Sequence, residues 1–584
     1  MKIKVIMADG VRDIECEAGE SLLAAMKRQE VYVPAYCGGR GTCQKCGVKL
    51  VDGMLPVTQE DAKAFDAHAL ADGMRLSCTA YPQQDCTVRL CTDDESEFEI
   101  LTGTGAAVGT GGNAFGGAAV GAGANEACGG AVAGREGSDA ATAGGQGCGA
   151  FGVAVDIGTT TIAMELWGLE DGKMYAQDSR INHQRAFGAD VISRIQASCS
   201  GEQLALQRSI LNDLCDGLRA MIAQAGIKAD QVARITIGAN TTMGHLLLGY
   251  PCHTLGVSPF TPVDIDIIRT SLGALLEQAA AKPSDGSAAQ LQNAAQSGGQ
   301  GIDESVCDLP LDAQLIVLPG ISTFVGADIV AGLLVCGFTE NEKPCLLIDL
   351  GTNGEMAIGH RDRILCTSTA AGPAFEGGNI SHGIGSVRGA ICSVHMDDDG
   401  RVTYETIGQG APLGICGTGV LDITAELVER GIVDETGLLD DDYFDDGVKI
   451  ADSPGGEPIV FTQQDVREIQ LAKAAVRAGI EVLLRRFGIG CGEIDTVYLA
   501  GGFGFKIDTE KAISIGLLPE GFRGKIRVAG NTSLKGARAC LFDGGTLAKA
   551  QVLGHQAEEV SLGGDAYFNQ CYMDAMCFEN EDIG

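Results

Sequence analysis

Four cysteines near the beginning of the chain have the number and spacing that an iron–sulfur cluster requires. Cys37, Cys43 and Cys46 lie on one short segment with the spacing C-x5-C-x2-C, and Cys78 follows them at a distance. Four thiolates can hold a [2Fe–2S] cluster, and the glycines of this segment would let backbone amides approach its sulfides. Structural zinc is the alternative, but one glycine-rich loop followed by a single late cysteine fits zinc ribbons poorly. The spacing therefore predicts a [2Fe–2S] cluster bound by these four residues.

Two polar turns later in the chain have the residue types that bind nucleotide phosphates. In each turn an aspartate at the end of an apolar strand is followed by a glycine and by short polar side chains. The first turn contains Asp156, Gly158, Thr159, Thr160 and Thr161, and the second contains Asp349, Gly351, Thr352 and Asn353. Glycine lets backbone amides approach phosphate oxygens, and each aspartate can hold Mg²⁺ through water. The repeated pattern predicts two related lobes that grip one polyphosphate from opposite sides.

Further glycines are candidates for contact with the sugar and base of the nucleotide. Gly501 and Gly502 follow an apolar segment, and the absence of side chains there would let adenine and ribose approach. Gly417 and Gly419, in the segment GICGTG, are additional candidates for lining the nucleotide. The chain has no Gly-Lys-Ser/Thr ending of a Walker loop, so the two Asp-x-Gly-Thr turns are the predicted phosphate site.

Acid–base chemistry has two candidate residues, Glu355 and Glu376. Either carboxylate could activate the water that attacks the terminal phosphate, and a structural or solvated carboxylate is the alternative for each. His245 lies beside three leucines and could serve as a metal ligand. Its apolar surroundings favour the alternative, a core histidine whose hydrogen bonds are satisfied.

The charge and composition of the chain limit the cellular compartments and the partners that the sequence predicts. The 584 residues carry a net charge of −35, which predicts no nucleic-acid partner because binding to a phosphate backbone needs clustered Lys and Arg. No apolar run is long enough for a membrane span, so no membrane association is expected. The N-terminal segment lacks a signal-peptide core, and the 22 cysteines do not form the framework of a small secreted domain. These features predict that the protein is located in the reducing cytoplasm.

The segments that must position these residues differ in composition. Residues 1–95 surround the cysteine loop, and residues 96–150 are so rich in glycine and alanine that they predict a flexible linker without a core. Residues 151–340 and 341–584 contain one Asp-x-Gly-Thr turn each and predict two α/β lobes. Within the first lobe, residues 274–310 are rich in Ala, Gln, Gly and Ser, which predicts an exposed low-complexity insertion.

Hydrophobic periodicity predicts the elements around the two turns. The strands that lead into the turns are predicted at Gly152–Asp156 and Leu346–Leu350. Helices are predicted at Leu22–Arg28, Leu204–Ala225, Asp328–Val335, Val420–Glu429 and Asp465–Arg486. Ser21 and Thr462 are the predicted N-caps of the first and the last of these helices.

The cysteine segment resembles plant- and adrenodoxin-type ferredoxins, which implies a β-grasp fold over about the first 92 residues. Its first two cysteines are one residue further apart than in the plant-type spacing. The two Asp-x-Gly-Thr turns resemble those of the superfamily of acetate and sugar kinases, heat-shock chaperones and actin. This second resemblance implies two ribonuclease-H-like lobes around ATP and Mg²⁺. The predicted fold class is therefore α/β and α+β multidomain, with a ferredoxin domain, a flexible linker and an actin-like ATPase.

A ferredoxin domain joined to such an ATPase resembles the ATP-dependent reductive activators of corrinoid proteins. The segments AGPAFEGG, GICGTG and VYLAGGFG carry the same resemblance. It implies that one electron passes from the cluster to Co(II) and regenerates Co(I) for methyl transfer. The implied partners are a corrinoid protein of a methyltransferase system and a low-potential electron donor, and a homodimer is a possible assembly. The C-terminal tail has only Cys571 and Cys577, so a single cluster is expected.

Three other functions are open at this point, one of them a simple electron carrier or scaffold protein in which ATP only stabilises the fold. An ATP-driven activase could deliver its electron to another metalloenzyme, such as a dehydratase, although such activases commonly hold their cluster between subunits. A small-metabolite kinase could carry the ferredoxin domain as a redox sensor, and it would form ADP only with its acceptor. The corrinoid activator, the activase and the kinase share the ATP cleft and differ in the acceptor.

Overall fold

The computed structural model describes residues 1–7, 10–29, 31, 33, 46–91, 150–281, 308–397, 400–501 and 507–578. Three of the predicted site residues, Cys37, Cys43 and Gly502, lie outside these ranges, as does the predicted linker up to residue 149. The other predicted site residues lie within them.

The N-terminal domain is built on a five-stranded sheet of described residues. Its elements are β1 (Lys2–Met7), β2 (Gly10–Glu15), α1 (Leu22–Arg28), β3 (Gly47–Asp52), α2 (Gln59–Ala64), α3 (Ala67–Ala71), β4 (Met74–Leu76) and β5 (Cys86–Leu90). The strand order β2-β1-β5-β3-β4, with β1 and β5 parallel, is that of a β-grasp fold. Helix α1 begins after Ser21, whose side chain accepts a hydrogen bond from the amide of Ala24, and it buries Leu22 and Met26. The predicted fold and the predicted helix are confirmed.

The first lobe is built on a six-stranded sheet. Its elements are β6 (Phe151–Ile157), β7 (Thr161–Gly168), β8 (Met174–Ile181), α4 (Val191–Ala197), α5 (Gln203–Ala225), β9 (Val232–Ala239), α6 (Thr241–Leu248), β10 (Ile268–Ser271), α7 (Leu272–Ala280), β11 (Gln314–Val317) and α8 (Ala327–Val335). The strand order is β10-β11-β9-β6-β7-β8, in which β6 is antiparallel to β7 and parallel to β9. Strand β6 is central and buried on both faces, which its continuous apolar run requires.

The second lobe repeats this arrangement. Its elements are β12 (Cys345–Leu350), β13 (Gly354–His360), β14 (Arg363–Thr369), β15 (Ala390–Met396), β16 (Val402–Thr406), β17 (Gly414–Ile415), α9 (Gly417–Glu429), β18 (Val448–Asp452), β19 (Pro458–Phe461), α10 (Gln463–Phe487), β20 (Thr496–Ala500), α11 (Thr509–Ser514), β21 (Ile526–Gly530), α12 (Thr532–Phe542), α13 (Gly544–Gln556), β22 (Ala557–Glu559) and α14 (Ala566–Asp574). In the order β21-β20-β12-β13-β14-β22, β12 is antiparallel to β13 and parallel to β20. Both sheets therefore have the predicted ribonuclease-H-like arrangement, and Asp156 and Asp349 lie at equivalent strand ends.

Helices α8 and α12 lie between the two sheets. Helix α12 belongs to the second half of the chain, yet it packs on the first-lobe sheet, where Thr236 donates a 2.7 Å hydrogen bond to the carbonyl of Ala537. It crosses α8 at Gly536, where a Cβ atom would lie 2.5 Å from the Cβ atom of Ala331. Both helices contribute to one apolar core that the two sheets share. The ends of these helices are thereby placed between the lobes.

The exposed insertion predicted at residues 274–310 was placed too early, so its predicted start is wrong. Residues 274–280 belong to α7, which buries Leu275 and Leu276 in the first-lobe core. The segment has the composition of an exposed loop, but its leucines share one helical face, and burial of that face outweighs composition. Residues 282–307, the main part of the predicted insertion, lie outside the described residues.

The predicted start of the helix at Val420 is also wrong, because α9 already begins at Gly417. Glycine disfavours a helix, which is why the GICGTG segment predicts a loop. In the structure, Gly419 lies so close to the carbonyl of Ile391 in β15 that a side chain would collide with it. Close packing of helix on strand thus explains the glycine.

Helix α10 fixes the C-terminal tail of the described chain. It begins after Thr462, which forms a capping box, and ends at Gly488 in the left-handed region with φ of +89°. Lys473 of α10 is fully buried and donates 2.6 Å hydrogen bonds to the carbonyls of Ala575 and Cys577, just beyond α14. None of the described helices, α10 included, combines the length and the apolarity needed to cross a membrane.

Replacement of this lysine, Lys473→Met, should loosen the tail. Methionine fills the space without a donor, so two carbonyls lose their partner, and an unsatisfied buried group costs about 1–3 kcal/mol. Hydrogen exchange of the α14 amides in the intact protein should become about tenfold faster or more. Lys449→Met is the matched control, because Lys449 lies exposed on β18. Unchanged exchange in Lys473→Met would show that the tail does not depend on this lysine.

Candidate iron–sulfur site and nucleotide cleft

Two of the four predicted cluster cysteines meet in the N-terminal domain. The antiparallel register of β3 and β4 brings Cys46, just before β3, next to Cys78, just after β4. Their sulfur atoms are 3.3 Å apart, and both residues are buried. A disulfide bond would require about 2.05 Å, whereas two sulfurs on one tetrahedral metal ion lie within about 4 Å of each other. The pair therefore fits two ligands of one iron atom.

The first phosphate turn is anchored by two buried side chains. The amide of Gly158 donates a 2.9 Å hydrogen bond to the carbonyl of Thr161 and closes the turn between β6 and β7. Asn182 donates to the carbonyl of Gly158 at 2.8 Å, and Arg194 donates to the carbonyl of Thr159 at 2.5 Å. Both donors are fully buried. Because these carbonyls are held from the protein interior, the orientation of the peptide groups in the turn is fixed.

The second phosphate turn connects β12 to β13. The amide of Gly351 donates a 3.1 Å hydrogen bond to the carbonyl of Asn353, and Asp349 lies directly opposite Glu355 in the sheet. Gly501, with φ of +97°, lies against the carboxylate of Asp349, where a Cβ atom would be 2.8 Å from its Oδ1. Gly501 is therefore explained by a positive φ and by the close approach of Asp349.

One carboxylate joins the two turns. Oε2 of Glu376 accepts 2.8 Å hydrogen bonds from the hydroxyls of Thr160 in the first lobe and of Thr352 in the second. Glu376 ends a short 3-10 helix, Pro373–Glu376, that follows β14. Two hydroxyls from opposite lobes thus converge on one anionic oxygen, so the two turns face a common cleft.

Four carboxylates lie close enough to repel one another at this cleft. Burial, with repulsion from neighbouring carboxylates, raises the pKa of Asp349 to about 8 and that of Asp328 to about 7. Burial also raises the pKa of Asp156, and burial and repulsion hold that of Glu355 well above its usual value. Oε1 of Glu355 has no hydrogen-bond partner among the described residues. A divalent cation would relieve this repulsion, so the oxygen-rich donor set fits Mg²⁺.

Several residues of this site were not identified from the sequence. Asp328 lies in the first turn of α8, and Arg194 reaches the first turn from α4. Asn531, the N-cap of α12, donates a 2.7 Å hydrogen bond from its amide to Oδ2 of Asp156. A signal existed for Asn531, since a polar residue directly after a parallel strand lies at the edge where such sheets bind ligands. No local pattern marks Asp328 or Arg194.

Gly417 and Gly419 lie in the first turn of α9, and no hydrogen bond between described residues links them to either phosphate turn. Their predicted contact with the nucleotide stays a prediction.

His245 is a structural core residue. Its Nδ1 donates to the carbonyl of Thr241 at 2.8 Å, and its Nε2 accepts a 2.9 Å hydrogen bond from the amide of Val263. The side chain is buried, and burial lowers its pKa. Both ring nitrogens therefore have hydrogen-bond partners, as predicted for a core histidine that is not a metal ligand.

Three family models match the chain in order. A 2Fe-2S iron-sulfur cluster binding domain matches residues 6–83, the RACo middle region matches residues 151–281, and the C-terminal domain of RACo, the ASKHA domain, matches residues 343–584. A solved structure, the reductive activator for corrinoid, iron–sulfur protein, is similar over 100% of this chain and 99% of its own. Its TM-score is 0.66 and its sequence identity is 24%, which supports the fold.

Two relatives extend the similarity in sequence. The corrinoid activation enzyme RamQ of Eubacterium limosum is 31% identical over 446 residues, which cover 72% of this chain and 69% of RamQ. The Co(II) methylated amine-specific corrinoid protein reductase of Methanosarcina barkeri is 32% identical over 253 residues, 40% of this chain and 45% of that protein. The chain therefore belongs to the RACo family of reductive activators of corrinoid proteins.

Proposed function

We propose that the chain uses ATP, bound between its two lobes, to pass one electron from a [2Fe–2S] cluster to the Co(II) ion of a partner corrinoid protein. Co(II) is reduced to Co(I), which accepts a methyl group, the cluster is oxidised by one electron, and ATP and water give ADP and phosphate. The observation that carries the proposal is the pair of hydrogen bonds from Thr160 and Thr352 to one oxygen of Glu376. The names of the relatives support a corrinoid protein as the acceptor.

The two phosphate turns provide the nucleotide site. A phosphate oxygen is anionic, so it can replace Oε2 of Glu376 as the acceptor of both threonine hydroxyls. Glu376 would then lie beside the terminal phosphate, where it or Glu355 orients the attacking water. Asp156 and Asp349 would hold Mg²⁺ through water, and the ion would neutralise phosphate charge when bound. The glycines after β20 would admit the adenosine.

The cluster would be held by Cys37, Cys43, Cys46 and Cys78, and it would supply one electron at about −400 mV if it resembles plant-type clusters. Our hypothesis is that the Co(II)/Co(I) couple has a lower reduction potential than the cluster. Each difference of about 59 mV then lowers the equilibrium constant of the electron transfer tenfold. Closure of the two lobes on ATP selects one conformation of the chain. ATP can drive the reduction only if the partner binds that conformation differently, and hydrolysis then restores the open state.

The same proposal leads to expectations about the electron donor, the partner and the compartment. A low-potential donor must reduce the cluster before each transfer. The net charge of −35 favours contact with a partner protein over nucleic acid, and the 22 cysteines favour the cytoplasm.

Cysteine variants test the electron path. Cys78→Ser removes one proposed ligand, so cluster absorption and Co(I) formation should be lost while ATP binding is retained. Cys91→Ser is the matched control, because Cys91 is exposed and lies outside the ligand spacing. The measurement is Co(I) absorption after the reduced protein, ATP and a Co(II) corrinoid protein are mixed. Continued Co(I) formation by Cys78→Ser would contradict the proposal. ADP formation that depends on a small acceptor and ignores this substitution would indicate the metabolite kinase.

Nucleotide binding should release protons at neutral pH. Because their pKa values are raised to about 8 and about 7, we expect Asp349 to be mostly protonated and Asp328 about half protonated at pH 7 in the nucleotide-free protein. Binding of Mg²⁺ and phosphate groups favours the ionised carboxylates, so on the order of one proton should be released per nucleotide. The share of the release that comes from these two carboxylates should vanish above about pH 9, where both are already ionised.

Calorimetric titrations in buffers of different ionisation enthalpy measure this release. Asp349→Asn should lose the larger share of it. Asp362→Asn should leave it unchanged, because Asp362 is 75% exposed. Binding of Mg·ATP to the unmodified protein without proton release at pH 7 would be the contrary result.

A further inference from the structure

Asn531 makes two contacts, one as an acceptor and one as a donor, at two different atoms of its side chain. Its Oδ1 accepts a 2.8 Å hydrogen bond from the amide of Leu534 and so caps α12. Its amide nitrogen donates across the lobes to Oδ2 of Asp156 at 2.7 Å. Serine and aspartate are equally good helix caps, but aspartate has no donor, and the serine hydroxyl is bonded to Cβ and so ends one bond short of the position of the Asn531 amide nitrogen. The cap alone therefore does not explain an asparagine at this position.

A second buried group from the same helix faces Asp156. Ser533 is 4% exposed, and its hydroxyl has no hydrogen-bond partner of ordinary geometry among the described residues. Ser533 and Asn531 both oppose the rise that burial causes in the pKa of Asp156. Gly238 lies opposite Asp156 in the sheet, and a Cβ atom there would lie 2.5 Å from the Ser533 hydroxyl. The start of α12 thus presents two polar groups to one carboxylate.

The residue before Asn531 is the last residue of β21 and belongs to the second-lobe sheet. The carbonyl of Gly530 accepts a 3.2 Å hydrogen bond from the amide of Gly501, which lies against the carboxylate of Asp349. The helix that follows is anchored on the first-lobe sheet through the hydrogen bond from Thr236. The segment from Gly530 to Asn531 therefore stands between the two strand-end aspartates.

We propose that Asn531 is a positioning residue that fixes the Asp156 carboxylate in the direction of the nucleotide-bound cation. The inference rests on the proposed ATP site. Because the amide of Asn531 holds Oδ2, the carboxylate cannot rotate freely, and the direction of its other oxygen is set as well. Because Gly530 is bonded to Gly501, the same segment keeps this oxygen in register with Asp349. Loss of the amide donor should weaken binding of the cation and leave the remaining contacts of the nucleotide in place.

The test compares two variants with the unmodified protein. Asn531→Ser keeps the helix cap and removes the amide donor. Asp543→Ser is the matched control, because Asp543 caps α13 on the surface in the same manner. Binding of a non-hydrolysable ATP analogue is measured by calorimetry while Mg²⁺ is varied. Asn531→Ser should need about tenfold more Mg²⁺ for half-maximal binding and should recover full binding at saturating Mg²⁺, because a hydrogen bond to a charged group is lost. Asp543→Ser should match the unmodified protein.

Two results would overturn the proposal. One is an unchanged Mg²⁺ requirement in Asn531→Ser. The other is weaker binding at every Mg²⁺ concentration, which a general structural defect would cause. If Asn531→Ser does not fold, Asn531→Thr decides in the same way, since threonine also caps a helix and its hydroxyl is likewise bonded to Cβ. Absence of Mg²⁺-dependent binding in the unmodified protein would instead overturn the proposed ATP site, and this inference with it.

Discussion

The burial and mutual repulsion of four carboxylates, of which Glu355 is buried and the others are half-buried, form the constraint on which the proposed nucleotide cleft depends. Asp156 and Asp349 lie at equivalent ends of two similar sheets, and Asp328 is brought between them by α8. Among the described residues, the groups that oppose the resulting rise in pKa are neutral hydrogen-bond donors and not cations. Such a cluster is costly in a folded protein and persists only where the surrounding structure imposes it. A divalent cation bound there, as proposed, would convert this repulsion into binding energy.

The same cleft can connect the nucleotide to the conformation of the whole ATPase. Thr160 and Thr352 belong to different lobes and meet at one oxygen of Glu376, so a ligand that replaces this oxygen contacts both lobes at once. Helices α8 and α12 cross between the sheets with Gly536 against Ala331, which leaves little room for independent adjustment. A change at the phosphate turns is therefore expected to move the lobes as bodies. In the proposed function, this movement acts on electron transfer from the N-terminal domain, which matches a 2Fe-2S iron-sulfur cluster binding domain.

Local chemistry made part of this structure predictable. Cysteine spacing predicted the pair Cys46 and Cys78, which the fold brings together, and strand ends with glycine predicted both turns, which face each other across the cleft. The bounds of α1 and the N-caps of α1 and α10, Ser21 and Thr462, were predictable because a cap acts over only three residues, although α10 begins at Gln463 and not at Asp465.

Contacts between distant segments were not predictable in this way. Arg194 and Asn531 act on residues 35 and 375 positions away, and no short pattern records such a pairing. The helical start of GICGTG was missed because packing against Ile391 outweighs the low helix propensity of glycine. Glu376 was a candidate from the sequence, but its place between two hydroxyls depends on how the lobes meet.

The central claim is that ATP drives the electron uphill, and the final yield of Co(I) tests it most directly. The reduced protein is mixed with a Co(II) corrinoid protein at a fixed donor potential, with ATP, with ADP or without nucleotide, and Co(I) absorption is followed to its end point. The account predicts a severalfold higher end-point yield with ATP than with ADP or no nucleotide. Equal yields under the three conditions would contradict it.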